Sequence, residues 1–219
     1  MRFATILEGR ELTAIEERQL ASSILRSVAG LYAKHGLTMQ LHIGAKRKTS
    51  SRLREVAGPA GGYAAIGNCV NVESLTKLLD DIEKQENGLP KTILFTLNPA
   101  DNAVMSVLSG SYSKDGVEAV ISQGPAWWWC DHYQGMNNML DHMSVYGVLS
   151  TFVGMTTDSR SILSFVRHDY FRRVFCSWIE RKVQEGVLPK HEQLLKDLIQ
   201  NVCYLNAKKT IMGGNENEF

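Results

Sequence analysis

KTILFTLNPADNAVMSVLSG, residues 91–110, decides the fold class. The apolar run from Thr92 to Leu97 has strand length and is stopped by Asn98-Pro99, and a helical pattern starts directly after the stop in DNAVMSVLSG. The same unit recurs on both sides. Downstream, EAVISQGPAWWW (118–129) reads as a further strand with a wide aromatic end, followed by a helix in MNNMLDHMSVYGV (136–148). FVGMTTDS (152–159) then predicts another strand, and a long helix from about Ser161 to Glu185 carries Val166, Tyr170, Val174 and Trp178 four apart. A last helix holds Leu194, Leu195, Leu198, Val202 and Leu205.

Upstream, TMQLHIGA (38–45) predicts a buried strand opening into the polar stretch Lys46 to Ser51, with His42 near the strand end. GPAGGYAAIGN (58–68) is too rich in glycine for a regular helix and reads as a long shaped loop, a kind of segment that tends to be functional. Asn71 caps a helix with Val72, Leu75, Leu78, Leu79 and Ile82 on one face. Leu20, Ile24, Val28 and Leu31 place another helix over residues 14–35, with Gly36 as its C-terminal stop.

Strands alternating with helices four times imply an α/β chain with parallel strands joined by right-handed crossovers. No G-x-G-x-x-G or G-x-x-x-x-G-K-[ST] follows a strand, which removes the phosphate-cradle reason for an open doubly wound sheet. In a (β/α)8 barrel of TIM type, polar residues gather at strand C-termini, where His42, Asn98, Trp127 to Trp129 and Asp158 fall. About four βα units and an extra C-terminal helix make half a barrel. The expected organisation is a helical segment over 1–36, a partial barrel over 37–212 and a frayed tail over 213–219.

Twenty-four Lys+Arg against 23 Asp+Glu give a net charge of +1, so no global field draws in nucleic acid or an anionic membrane. No apolar run approaches the roughly 18 residues of a membrane span, and residues 1–9 lack a secretory h-region, so a cytoplasmic protein is expected. Cys69, Cys130, Cys176 and Cys203 are far apart, form no C-x-x-C and are expected to be buried free thiols.

Several residues have chemistry worth weighing. Three consecutive tryptophans cannot all enter one core, so at least one faces a pocket or a partner. Asp158 ends an apolar run, where a carboxylate is either an N-cap or is paired or metal-bound. Arg160 either pairs with it or offers its planar fork to a substrate carboxylate. His42 is a structural histidine or an acid/base group. The cluster Arg167 to Arg173 reads as helix-surface charge, with Asp169 and Arg173 as an i,i+4 pair. Lys46, Arg47, Lys48, Arg52 and Arg54 form a solvated or anion-facing basic loop, with no aromatics interleaved for nucleic acid. There is no H-x-H, H-E-x-x-H or G-x-S-x-G.

QLHIGA (40–45), LPKTILFTLNPADN (89–102), PAWWWCDHYQGM (125–136), FVGMTTDSRSILSFVRHDYFRR (152–173) and NVCYLNAK (201–208) together resemble the glucuronate (uronate) isomerase family of the amidohydrolase superfamily. The resemblance covers roughly residues 37–208 and corresponds to the family's C-terminal half. It implies a distorted (β/α)8 barrel that interconverts D-glucuronate with D-fructuronate and D-galacturonate with D-tagaturonate, with a divalent metal, zinc or manganese. Asp158 matches the aspartate at the metal and candidate proton-transfer base, and Arg160 the arginine that grips the uronate. Trp127 and Trp128 match a tryptophan pair beside the substrate, with Cys130 departing from a polar residue. His42 matches a histidine of a middle strand, and Arg47 and Arg52 match arginines of the following loop. The family's metal is also held by an H-x-H that this chain lacks. The implied partners are a uronate sugar and either further copies of the chain or an N-terminal half. The competing reading is a non-catalytic uronate-binding or structural remnant.

Overall fold

The computed structural model describes residues 9, 11–116, 118–157 and 161–212. The chain divides into two compact units, residues 1–39 with 71–91 and residues 40–70 with 92–219.

In the first unit, α1 (Ala14–Lys34) opens with a capping box: Thr13 accepts from the Glu16 amide, and Glu16 reaches back to the Thr13 backbone. It ends at Gly36, whose φ of +65° is the left-handed conformation that a helix stop needs. α3 (Val72–Glu83) starts on Asn71, which accepts from the Ser74 amide at 2.8 Å, and buries Leu75, Leu79 and Ile82. Arg26 of α1 donates to Asp81 of α3 at 3.2 Å, and the Gln85 amide bonds the Arg26 carbonyl at the same distance. The predicted α1 stripe is only partly covered within the described residues, since Ile24 and Leu31 are exposed and Ala29 is buried.

The second unit holds the sheet, in the order β1 (Met39–Ile43), β4 (Thr92–Thr96), β5 (Ile121–Gln123). β4 and β5 are parallel, with Ile93 opposite Ser122. β1 also runs parallel to β4, because Met39 N–H bonds the Lys91 carbonyl and Leu97 N–H bonds the Ile43 carbonyl. Every residue of the central strand β4 is buried. β1 is an edge strand and is not the buried strand that its apolar sequence suggests: only Met39 is fully covered, and Gln40 and His42 face outward.

Between β1 and β4 lie a two-residue antiparallel pair, β2 (Ala45–Lys46) with β3 (Ala65–Ile66), and a short helix, α2 (Ser51–Ala57), which the polar sequence did not announce. The glycine-rich segment around them is the expected loop. Its far end is pinned: the Asp101 carboxylate, 2% exposed, accepts from Val70 N–H at 3.1 Å and from the Thr96 hydroxyl at 3.3 Å. Asn98 adds a bond to the Gly67 carbonyl.

α4 (Asn102–Ser111), α5 (Tyr133–Tyr146) and α6 (Val166–Gln184) follow the predicted helices closely. The core joins Phe95 and Leu97 to Met136, Met139 and Leu140 of α5 and to Phe171, Val174, Phe175 and Trp178 of α6. The α6 stripe differs from the four-apart reading: Val166 and Tyr170 are exposed, and Phe171 and Phe175 are buried instead. Each step of four turns about 40° around a helix of 3.6 residues per turn, so a strict series of fours leaves the buried face.

Residues 152–157 are not a strand. Phe152 to Met155 are buried, but their backbone lies against the one-turn π-helix Asn201–Leu205 rather than in the sheet. Asn206 donates to the Phe152 carbonyl at 2.8 Å, and a Cβ on Gly154, at φ +75°, would stand 2.1 Å from the Val202 carbonyl oxygen. That π-helix sits between α7 (Glu192–Gln200) and α8 (Asn206–Met212), where the sequence predicted one continuous helix. The described residues thus make a mixed α/β fold with a small parallel sheet of three strands where four were expected. Of the four cysteines only Cys130 is fully buried; Cys69 and Cys176 are exposed, against expectation.

Candidate functional site

Past the ends of β4 and β5 the chain folds a run of aromatic rings. His42, at the end of β1, stacks on Phe95 of β4 with centroids 4.6 Å apart and meets the Trp127 ring edge-on at the same distance. Trp127 contacts Trp128 at 5.6 Å, and Trp128 stacks on Trp129 at 5.4 Å. The three tryptophans do not all enter the core. Trp127 is buried, Trp128 is half-buried and Trp129 is 41% exposed.

Trp128 begins a short 3-10 turn, Trp128–Cys130, and adopts φ +52°, a left-handed conformation rarely taken by bulky residues. Such strain persists where surrounding contacts over-determine it. The turn is held from behind by Cys130, whose thiol donates to the Leu97 carbonyl at 3.3 Å and is pushed up in pKa by burial. Gly135 lets α5 approach it, since a Cβ there would stand 2.0 Å from the Cys130 carbonyl oxygen.

Trp127 and Trp128 form one wall of a cavity of about 390 Å³. Loop residues including Tyr63 form another, and Arg47, Thr157 and Arg167 complete it. The loop wall is shaped by local bonds: the Tyr63 hydroxyl donates to the Gly58 carbonyl at 2.6 Å, and the Thr49 hydroxyl to the Tyr63 carbonyl at 2.5 Å. The Arg47 guanidinium lies 5.5 Å over the Trp128 ring, within cation–π range. Arg167 donates to the Thr157 carbonyl at 3.0 Å and forms an ion pair with Asp131, whose side chain is 3% exposed. The buried Trp127 indole N–H has no acceptor among the described residues. The cavity therefore combines two guanidinium groups with aromatic faces, a chemistry suited to a small anionic, hydroxyl-bearing ligand.

Of the predicted site residues, the structure brings Arg47, Trp127 and Trp128 together around this cavity. His42 touches the cluster through Trp127 but is not among the cavity's lining residues. Arg52 lies exposed on α2 and does not line it either. Asp158 and Arg160 lie outside the described residues. No group of three or more His, Cys, Asp or Glu gathers into a metal site among the described residues, so those residues by themselves do not fit the expected zinc or manganese. Also among them, no helix is long and apolar enough to cross a membrane.

Arg167 and Thr157 were missed in the sequence. The signal for Arg167 lay in helix register: it stands four residues before the buried Phe171, above the core stripe and not on the solvent face.

The sequence profile of the glucuronate isomerase family matches residues 1–211. A uronate isomerase of Caldicellulosiruptor bescii is 41% identical over 207 residues, which cover 94% of this chain and 44% of that protein. One of Clostridium perfringens is 38% identical over the same shares. Among solved structures, glucuronate isomerase of Caulobacter crescentus superposes with a TM-score of 0.83 at 25% identity, covering 99% of this chain and 43% of that one. Uronate isomerase of Thermotoga maritima gives 0.82 at 26% identity, over 92% and 43%. The chain thus spans less than half the length of the relatives it matches. With a family profile matched along nearly its whole length, this chain belongs to the glucuronate isomerase family.

Proposed function

We propose that this chain is the C-terminal portion of a uronate isomerase, contributing the cavity beside Trp127 and Trp128 to the isomerisation of D-glucuronate to D-fructuronate and of D-galacturonate to D-tagaturonate. The single observation that carries the reading from family to site is that cavity, where Arg47 and Arg167 stand beside the faces of Trp127 and Trp128. A uronate presents one carboxylate and several hydroxyls, which these groups complement. The family's architecture suggests that the three described parallel strands are part of a (β/α)8 barrel whose remainder comes from outside these 219 residues, in the same polypeptide or in another.

Aldose–ketose isomerisation moves a proton between C2 and C1 and passes through an enediol. It needs a base, a stabiliser for the developing oxyanion and an anchor for the carboxylate. In this reading Asp158 is the base and Arg160 the anchor. Trp127 and Trp128 shield the sugar from water on one side, and Arg47 strengthens the field that holds the anion. His42 supports Trp127 by ring contact, and Arg52 adds positive charge on α2. A divalent metal, zinc or manganese, belongs to the assembled enzyme and would take Asp158 as one ligand. The described residues supply no further cluster for it. The likeness to named metabolic enzymes and the absence of a spanning helix among the described residues support a cytoplasmic setting.

The test is ketose formation from D-glucuronate and D-galacturonate by the purified chain with zinc or manganese, alone and mixed with the N-terminal half of a uronate isomerase. The expected result is ketose in an assembled sample, abolished by Asp158→Asn with little loss of binding and weakened in KM by Arg160→Met. Uronate binding without ketose in any assembly would replace this reading with the remnant that binds and does no chemistry. Neither binding nor turnover would overturn both.

A further inference from the structure

Arg167 and Asp131 are absent from the residues that the family resemblance carries over, yet they join two walls of the cavity. We propose that the Asp131–Arg167 ion pair is the positioning device of this cavity, locking the Trp127–Trp128 turn against the backbone at Thr157; its ligand readout rests on the uronate reading above.

Asp131 directly follows the 3-10 turn, and its own N–H bonds the Trp128 carbonyl at 3.1 Å, so its carboxylate is tied to the tryptophan turn. That carboxylate is 3% exposed and pairs with Arg167. From the other side of the same guanidinium, Nη1 donates to the Thr157 carbonyl at 3.0 Å, and Thr157 is followed in sequence by Asp158. Arg167 also lines the cavity. One planar fork thus spans a carboxylate, a main-chain carbonyl and the ligand space, a task that a lysine ammonium, as a point donor, does not reproduce. The strained φ of Trp128 needs external restraint, and this pair supplies it from below while Arg47 covers the ring. The contrast lies on the same helix: Arg173 and Asp169 form an i,i+4 pair with side chains 71% and 70% exposed, and that pair touches nothing in the cavity.

The experiment compares Arg167→Met, Asp131→Asn, the double variant, Arg167→Lys and the control Arg173→Met in the full chain. It reads acrylamide quenching and near-ultraviolet circular dichroism of the tryptophans, the unfolding midpoint, and the Kd for D-glucuronate by tryptophan fluorescence. Trp178 is fully buried and donates to Asp141 at 2.9 Å, so it provides a constant background. The expected result is a quenching constant at least doubled and a Kd raised about ten-fold in both single variants, with the double variant no worse than the poorer single one. Arg167→Lys restores the unfolding midpoint but not the Kd, whereas a merely structural role would leave the Kd of the folded lysine variant normal. Wild-type quenching and Kd in folded Arg167→Lys and Asp131→Asn would overturn the proposal. Should the wild-type chain bind no D-glucuronate, the uronate reading falls. Quenching and non-additivity then still decide the positioning role. If Arg167→Met does not fold, Arg167→Lys carries the comparison.

Discussion

His168 of α6 is held below its ordinary value of 6.5, first by burial and second by the Arg172 guanidinium. The folded protein therefore binds this proton less readily than the unfolded chain. The stability that the neutral ring contributes is complete above 6.5 and falls away as pH drops through that value toward the folded pKa. His168→Gln should flatten the stability curve in that window, measured as urea midpoints between about pH 5 and 8; an unchanged slope would contradict the assignment. Asp141 acts lower on the scale. Burial alone would raise its pKa, but hydrogen bonds from Trp178 and Lys182 outweigh it and hold the carboxyl below 3.8. Its contribution is full above 3.8 and is lost as pH falls through the folded value. Trp178→Phe removes the indole donor at 2.9 Å, and it should cost roughly 1.5–3 kcal/mol near neutral pH and weaken the acid limb. Residue chemistry was legible only where sequence neighbours carried it. The tryptophan run and the cationic Arg47 could be read from their own segments. The Asp131–Arg167 pair joins residues 36 apart in the chain, a closure that periodicity does not register.

Among the elements, helices with caps were the most legible: Asn71 and Gly36 mark their ends through local hydrogen bonds and backbone conformation that any fold would use, whereas the Thr13 capping box was not read. Strands were less so. FVGMTT is apolar enough for a strand, but Gly154 and Asn206 commit it to the π-helix instead, through a close approach and a side-chain bond that come from 48 and 54 residues away. β1 is apolar too, yet it lies at an edge, where pattern alone cannot tell an open face from a covered one. The glycines that permit close approach give the sharpest element-scale prediction. Gly135→Ala drives a Cβ to 2.0 Å from the Cys130 carbonyl, so backbone must shift, at a cost of about 2–4 kcal/mol in unfolding free energy. Gly110→Ala, where a Cβ meets open space, should be neutral or stabilising on α4. Equal midpoints for the two variants would show that α5 does not press on the tryptophan turn.

At the scale of the whole molecule, β1 is an outer strand of the described sheet, and the chain matches relatives more than twice its length. An open parallel edge is a template for a further strand, and such edges are rarely left bare. Light scattering on the purified chain should therefore return a mass of at least two chains, or a one-to-one complex when the N-terminal half of a uronate isomerase is supplied; a persistent monomer with full helical signal and no such complex would contradict this. The α/β class and the family were legible from long motifs in one order along the chain, whereas the strand number was not: of four expected strands, three lie in the described parallel sheet. The central claim is that the cavity beside Trp127 and Trp128 receives a uronate through its guanidinium groups. The most direct measurement is a fluorescence titration of the wild-type chain and Arg47→Met with D-glucuronate and with neutral D-glucose. Saturable binding of D-glucuronate that Arg47→Met weakens several-fold, with no response to D-glucose, is the predicted result; equal affinity for the two sugars, or indifference to Arg47, would contradict it.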